Sequence, residues 1–322
     1  MAQPSRKQSS PKTPNAVMWR QGVHITGSAL WCDALRATEL CFVSSALALG
    51  KSRKRAGTLL CTQTTLQLLT EMGRAPQGPQ LLSPLRRPFF WGTLRLELFA
   101  SGSDPGSASL WVKLPSEERV IYAGMPSERS SSLVEPLQVR QAESLVIAAP
   151  SAPTHVELPS TEQLAQQIVS SLSEASLLGV PLVVRCSSLM TLLDLLPTLQ
   201  VPSVKLSVEL HRALGFCQAL PGFPTIQTAS TRSAKPGDLV FWPTSSPLPK
   251  RPDGTMLLTL PDGLSLSGLV RYARESGVRH VYLTAGYHPT VAAKLAAHKI
   301  VAEPIGPPEQ LGLFAHALPS LL

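Results

Sequence analysis

No pair of cysteines in this chain stands in CxxC spacing, and the five that occur, Cys32, Cys41, Cys61, Cys186 and Cys217, are scattered and odd in number. That argues against a zinc knuckle and a disulfide framework, and it predicts reduced, mostly buried thiols in a cytoplasmic protein. No run of eighteen apolar residues is present, so no membrane-spanning helix is expected. The opening residues hold Arg6, Lys7 and Lys12 among Ser, Gln and Pro, with no apolar stretch behind them. They read as a loose basic tail over 1–17 and not as a secretory signal. Charged residues are scarce at 16 %, while hydrophobic ones reach 43 %, a balance that belongs to a folding chain. A hydrolytic elbow is missing too. No Ser-His-Asp or Cys-His arrangement is visible, and Ser107, within Gly106-Ser107-Ala108, reads as a turn residue.

What remains is enough sequence for one large domain or two medium ones: 322 residues. Lys and Arg exceed Asp and Glu by eight, which permits an anionic partner such as nucleic acid. From Val23 to Tyr122 the chain reads as short strands. Leu40-Cys41-Phe42-Val43 is a compact buried strand, and Thr62 to Met72 suits a short helix opened by a Thr cap. Leu94 to Leu98 alternates as a half-buried strand does, and Ser109 to Leu114 and Arg119 to Tyr122 add two more around a charged turn. After Ala142 strands and helices alternate: strand Ser144 to Ala148, helix Thr161 to Leu178, strand Pro181 to Arg185, helix Leu189 to Leu196. That alternation predicts a parallel sheet covered on both faces. Gln218 to Pro252 is rich in Pro, Ser and Thr, with one strand at Asp238 to Trp242. A helix over Ser265 to Ser276, a strand over Val278 to Thr284 and a helix over Thr290 to His298 follow.

Several local sequences, in order, resemble the β-CASP branch of the metallo-β-lactamase superfamily, which includes RNA 3′-end processing factors and the bacterial exonucleases associated with DNA ligases. The resemblance runs from Val23 to Phe314 and is closest to the short bacterial exonuclease type. Gly27-Ser28-Ala29-Leu30-Trp31-Cys32-Asp33 is similar to the family's first hairpin. The S-H-x-H-x-D-H signature is similar to Ser44-Ser45-Ala46-Leu47-Ala48-Leu49-Gly50, with Ser45, Leu47, Leu49 and Gly50 in the ligand positions. G-H-x-x-G-S-A corresponds to Gly102 through Ala108, with Ser103 for the histidine. Y-x-G-D corresponds to Tyr122-Ala123-Gly124-Met125, with Met125 for the bridging aspartate. Ala148 replaces an acidic strand end, S-D-H-A-D survives as Pro261-Asp262-Gly263-Leu264-Ser265, and T-H-G as Thr284-Ala285-Gly286. Pro308-Glu309-Gln310 and Phe314 are also family-like.

The resemblance implies an α/β fold: a metallo-β-lactamase αββα sandwich over 18–150 and 253–322, with a β-CASP-like α/β insert at 151–252. Such nucleases use two zinc or manganese ions about 3.5–4 Å apart to clamp the phosphate and generate hydroxide. Those ions need imidazole nitrogens and carboxylates. With Ser45, Leu47, Leu49, Gly50, Ser103, Met125, Gly263 and Ala285 standing at degenerate positions, the resemblance implies no metal, no cofactor and no catalytic residue. Leu47, Leu49 and Met125 are expected to fill the space as packed core, each contributing about 1.5–3 kcal/mol if fully buried. The implied role is that of a catalytically inactive relative, binding or scaffolding in nucleic-acid processing or DNA repair. Its partners would be nucleic acid and an active nuclease paralogue, a helicase or a DNA ligase. The alternative is an active metal-dependent nuclease or hydrolase with relocated ligands, drawn from Asp104, Asp262, His288, Asp33, His24 and His155. The plainer reading of those six is solvated loop residues or helix caps.

Two basic groups remain. Lys51, Arg53, Lys54 and Arg55 follow directly on the altered signature, and Arg86 and Arg87 precede Phe89, Phe90 and Trp91. Cations neutralise phosphates and aromatic faces stack on bases, so these six cations are the candidate nucleic-acid contacts. The plainer readings are a solvated turn for the first group and core packing for the aromatics. Arg271, Arg274 and Arg279 read as the exposed face of one helix.

Overall fold

The computed structural model describes residues 16–34, 38–48, 57–74, 77–129, 131, 133–201, 203–223, 226–248 and 254–307. Five short strands open it: β1 (Val17–Trp19), β2 (Val23–Ile25), β3 (Leu30–Cys32), β4 (Leu40–Phe42) and β5 (Thr58–Cys61). Helix α1 (Gln63–Glu71) precedes β6 (Gln80–Leu82) and β7 (Phe89–Trp91). Longer strands follow: β8 (Leu94–Ala100), β9 (Ala108–Lys113), β10 (Arg119–Gly124) and β11 (Ser144–Ala148). Next come α2 (Thr161–Leu177), β12 (Leu182–Cys186), α3 (Leu189–Leu195), β13 (Lys205–Ser207) and α4 (Val208–Gln218). Strands β14 (Ala229–Thr231), β15 (Leu239–Pro243) and β16 (Met256–Thr259) lead to α5 (Leu266–Glu275), β17 (His280–Ala285), α6 (Pro289–Ala296) and β18 (Val301–Pro304).

Two of the three sheets share a core. The first has the order β1-β2-β3-β4-β5-β6 and the second β18-β17-β11-β10-β9-β8-β7. Leu40 and Phe42 of the first meet Leu96, Leu98, Leu110 and Val120 of the second, because strand side chains alternate. The intervening Cys41 and the following Val43 turn the other way, toward α1. Burial on both faces explains why this strand is apolar throughout. The second sheet repeats the device: Ile121, Leu145 and Ile147 face outward and are covered by Leu269 of α5 and Leu295 of α6.

The third sheet, β14-β13-β15-β12-β16, is entirely parallel. Its helices differ from expectation. Among the described residues α2, α3 and α4 all pack on one face, against Leu182, Val184, Leu206, Leu239 and Phe241. The other face holds only a small cluster around Val183, Ala234 and Val240. Strand β16 also lies beyond the expected limit of the insert at 252. Helix α2 begins with a capping box, in which the Ser160 side chain accepts from the Gln163 N–H and Gln163 reaches back. Ser160→Ala should lower stability by about 1 kcal/mol, read as a fall in the denaturant midpoint at unchanged slope. No helix among the described residues is long and apolar enough to cross a membrane.

Candidate functional site

A cavity of about 610 Å³ opens where the strand ends of all three sheets meet. Ser44, Ser45, Leu47 and Ala48 line it after β4, Ser101, Ser103 and Asp104 after β8, and Ala123, Gly124 and Met125 at the end of β10. Ala148 at the end of β11 and Thr284 and Ala285 at the end of β17 complete that side. The opposite wall is Ser187, Thr244, Ser245, Thr259, Leu260 and Pro261, from the carboxyl ends of β12, β15 and β16. Carboxyl ends of parallel strands are where open α/β sheets place ligands. Ser45, Leu47, Ser103, Met125, Ala148 and Ala285, far apart in sequence, thus share one cleft. Gly263 adjoins it, since a Cβ there would meet Met125 Cγ at 3.1 Å. Leu49, Gly50, Lys51, Arg53, Lys54 and Arg55 lie outside the described residues, as do Pro308, Glu309, Gln310 and Phe314.

Two motif glycines are held by geometry. Gly124 has φ +63°, and a Cβ on it would stand 2.5 Å from Ser44 Oγ. At Gly286, φ +82°, a Cβ would stand 1.9 Å from the Ala149 carbonyl oxygen. Left-handed backbone against a neighbouring chain admits no side chain, whatever the site does.

Of the three apolar side chains expected to fill the space, Leu49 lies outside the described residues, and Leu47 and Met125 line the cavity without closing it. Leu47 is buried, but it joins the core beneath the first sheet with Val43 and Ala46. Met125 is half-buried and lies over Gly263. Leu47 leaves the cavity open because its side chain finds apolar partners in that core.

Hydroxyl networks occupy two of the positions that the resemblance aligns with ligands, Ser45 and Ser103. Ser45 Oγ donates to Asp104 Oδ2 at 2.9 Å and accepts the Leu47 N–H at 3.2 Å. Ser103 Oγ donates to Ser107 Oγ at 3.0 Å, and Ser101 and Ser107 are 2.7 Å apart. Asp33, at φ 45°, accepts from the Ser44 N–H at 2.9 Å, from Ser44 Oγ at 2.5 Å and from the Tyr122 hydroxyl at 2.8 Å.

Asp104 and Asp262 are not solvated loop residues: they are 4 % and 1 % exposed. Asp104 Oδ1 accepts from Ser188 Oγ at 3.0 Å and from the Leu189 N–H at 2.7 Å, so it helps cap α3 across 85 residues of sequence. Burial raises its carboxyl above the ordinary range, against those hydrogen bonds. Asp262 Oδ1 accepts from Thr191 Oγ1 at 3.1 Å and from the Gly263 N–H at 2.9 Å, while Oδ2 has no hydrogen-bond partner. Burial lifts Asp262 to about 6, and the nearby charge of Asp104 pushes the same way. His288 caps α6 and His24 is buried in β2, with Nε2 2.8 Å from the Ser28 carbonyl oxygen. His155 lines the cleft with Thr154 Oγ1 2.8 Å from Nδ1.

The side chains present do not fit a two-ion centre. Hydroxyls, a thioether and methyl groups replace the imidazoles and carboxylates such a centre requires. Asp33 and Asp104 are the only carboxylates lining the cleft among the described residues, and each already accepts three hydrogen bonds. No group of three or more His, Cys, Asp or Glu among the described residues is placed to hold an ion. All five cysteines are buried. Desolvation raises Cys32, at the cleft wall, and lifts Cys61 and Cys217 to about 12, so these thiols stay protonated.

Arg86 and Arg87 are not brought into the cleft. No Lys or Arg among the described residues lines it. Arg86 and Arg87 are exposed ahead of β7, with Arg86 Nη2 2.9 Å from Glu135 Oε2. Phe89 and Trp91 pack inward, and Phe90 points out. Described residues carry 19 Lys and Arg against 19 Asp and Glu, so the whole excess of eight belongs to segments outside them. Sequence reasoning missed the wall from β12, β15 and β16, whose Ser and Thr residues carry no motif. A scan of the sequence against protein-family models finds no match, and a search of the curated proteins finds none either.

Proposed function

We propose that this chain is a degenerate relative of the β-CASP nucleases, a metallo-β-lactamase αββα sandwich carrying a β-CASP-like insert, which binds or scaffolds in nucleic-acid processing without cutting. The observation that carries the reading is convergence. Ser45 and Leu47 from one stretch of the resemblance, and Ser103, Met125, Ala148 and Ala285 from four others, line one cleft between the paired sheets and the third sheet. Chance similarity of short segments gives no reason for them to meet. The shared core of two sheets, with α1 outside one and α5 and α6 outside the other, supports the sandwich.

Chemistry supports inactivity. With a single imidazole, His155, and two carboxylates that each already accept three hydrogen bonds, the described lining does not supply the donor set that two ions need to generate hydroxide. The partner in this reading is nucleic acid, held together with an active nuclease, a helicase or a ligase.

The test is metal titration of the purified protein. Zinc and manganese should bind below stoichiometry, EDTA should leave the melting temperature unchanged, and labelled DNA and RNA should survive incubation with either ion. Stoichiometric zinc with chelator-sensitive cleavage would overturn the reading in favour of relocated ligands.

A further inference from the structure

Part of the outer face of the second sheet is left bare by the helices. α5 and α6 cover β11 and β17, and the segment 137–142 crosses the next row: Trp111 Nε1 donates to the Gln141 carbonyl at 3.0 Å, and Arg140 reaches over Phe99 to Glu97. Beyond that crossing, register places Phe90 opposite Arg95, Arg95 opposite Lys113 and Lys113 opposite Arg119. Directly opposed residues of antiparallel strands share a face. One aromatic ring and three cations therefore form a single row across β7, β8, β9 and β10, about 14 Å long at the usual strand spacing.

The row is dressed for a polyanion with flat bases. Phe90 is 73 % exposed, while its neighbours Phe89 and Trp91 pack inward. Arg95 has no carboxylate partner among the described residues, and its guanidinium lies over the Trp111 ring, 6.0 Å from the centroid. Lys113 is tied only to the exposed Glu117, a pair of small worth, whereas Arg119 is held by Glu143. The cleft offers the opposite environment, with Asp33 and Asp104 and no described cation. Arg119 opens β10 and Gly124 closes it at the cleft, so the two sites lie at opposite ends of one strand.

We propose that this row binds single-stranded nucleic acid, with a base stacked on Phe90 and phosphates met by Arg95 and Lys113. This rests on the nucleic-acid reading above and moves the contact from the ancestral cleft to the sheet face. A peptide adding to the edge strand β7 would read its backbone instead, and that strand offers three residues.

Fluorescence anisotropy of a labelled thymidine 15-mer with the full chain tests it. Phe90→Ala and Arg95→Ala should each weaken binding about tenfold, with circular dichroism and melting temperature unchanged because both side chains are exposed. Arg95→Ala should also lower the salt slope by about 0.7. Duplex of the same length should bind more weakly than the single strand, and equal or tighter duplex binding overturns the stacking platform. Wild-type affinity in both variants, with binding lost only when Lys51, Arg53, Lys54 and Arg55 become Ala, overturns the row and leaves the nucleic-acid reading standing. A wild-type chain with no affinity for the 15-mer overturns both.

Discussion

Arg74→Ala should destabilise the chain by about 3–5 kcal/mol, the largest effect expected from any single polar substitution here. Arg74 is 8 % exposed and follows α1. Its Nη2 lies 2.6 Å from Glu209 Oε2 on α4 and donates to Ser246 Oγ at 2.8 Å, and Ser246 passes a hydrogen bond on to Glu209 at 2.7 Å. Nη1 donates at 3.2 Å to the Ala46 carbonyl and to Ser245 Oγ. One guanidinium thus joins the segment after β4, α4 and the loop after β15. Truncation takes the guanidinium away from the buried Glu209 carboxylate, to which Ser246 Oγ still donates.

Removing both partners should cost less than removing one. A buried ion pair gains its Coulomb attraction against a large desolvation cost, so Arg74→Met with Glu209→Leu leaves no stranded charge. The cycle, measured by urea unfolding, should show the double variant more stable than Arg74→Ala alone. Equal loss in the two would mean that Arg74 acts through its contacts to Ala46 and Ser245. Those contacts matter to the cleft as well, because Ser245 is part of its wall.

Legibility in the sequence followed burial. β4 was readable because a strand covered on both faces must be apolar throughout, and β8 because one covered by core on one face alternates. α1 was readable from its Thr62 cap, whose side chain accepts the Thr65 N–H and also binds the Gly106 carbonyl at 2.6 Å. β13, β14 and β18 escaped, since three or four residues such as Val301-Ala302-Glu303-Pro304 carry no alternation to detect. α4 escaped as well, although its Ser207 cap and the spacing of Leu210, Ala213, Leu214 and Cys217 carry a helical signal. At the site, the stretches that carry the resemblance contribute residues to one cleft, but side-chain direction did not follow from their order. Nothing in the local sequence says that Leu47 turns into the core beneath the first sheet and leaves the cleft open. Asp104 and Asp262 sit beside Pro and Gly, which reads as solvated turns, and the helix that buries them arrives from elsewhere in the chain.

Asp262→Asn should stabilise the chain by up to about 2 kcal/mol at pH 7.5, and the sign should reverse near pH 4, where the variant is destabilised by about 1–3 kcal/mol. Asp262 titrates at about 6 in the folded chain against an ordinary 3.8, because burial disfavours its charge and Asp104 adds repulsion that Arg129 and the hydrogen bonds only partly offset. The folded state therefore holds this proton more tightly than the unfolded one. Its contribution to stability is fully present below pH 4 and is lost as pH rises through 6. Two pH units correspond to about 3 kcal/mol at most. Asparagine carries no charge at any of these values, and its carbonyl can keep the bonds from Thr191 and Gly263. Its amide replaces Oδ2, which has no hydrogen-bond partner, so two N–H groups stay unsatisfied at a cost of about 1–3 kcal/mol. The net gain survives only while the wild-type carboxylate is ionised. The variant's melting temperature should match or exceed the wild type's at pH 7.5 and fall below it at pH 4.5, and a variant destabilised equally at pH 7.5, 6 and 4.5 would show that Asp262 is neutral in the folded chain throughout.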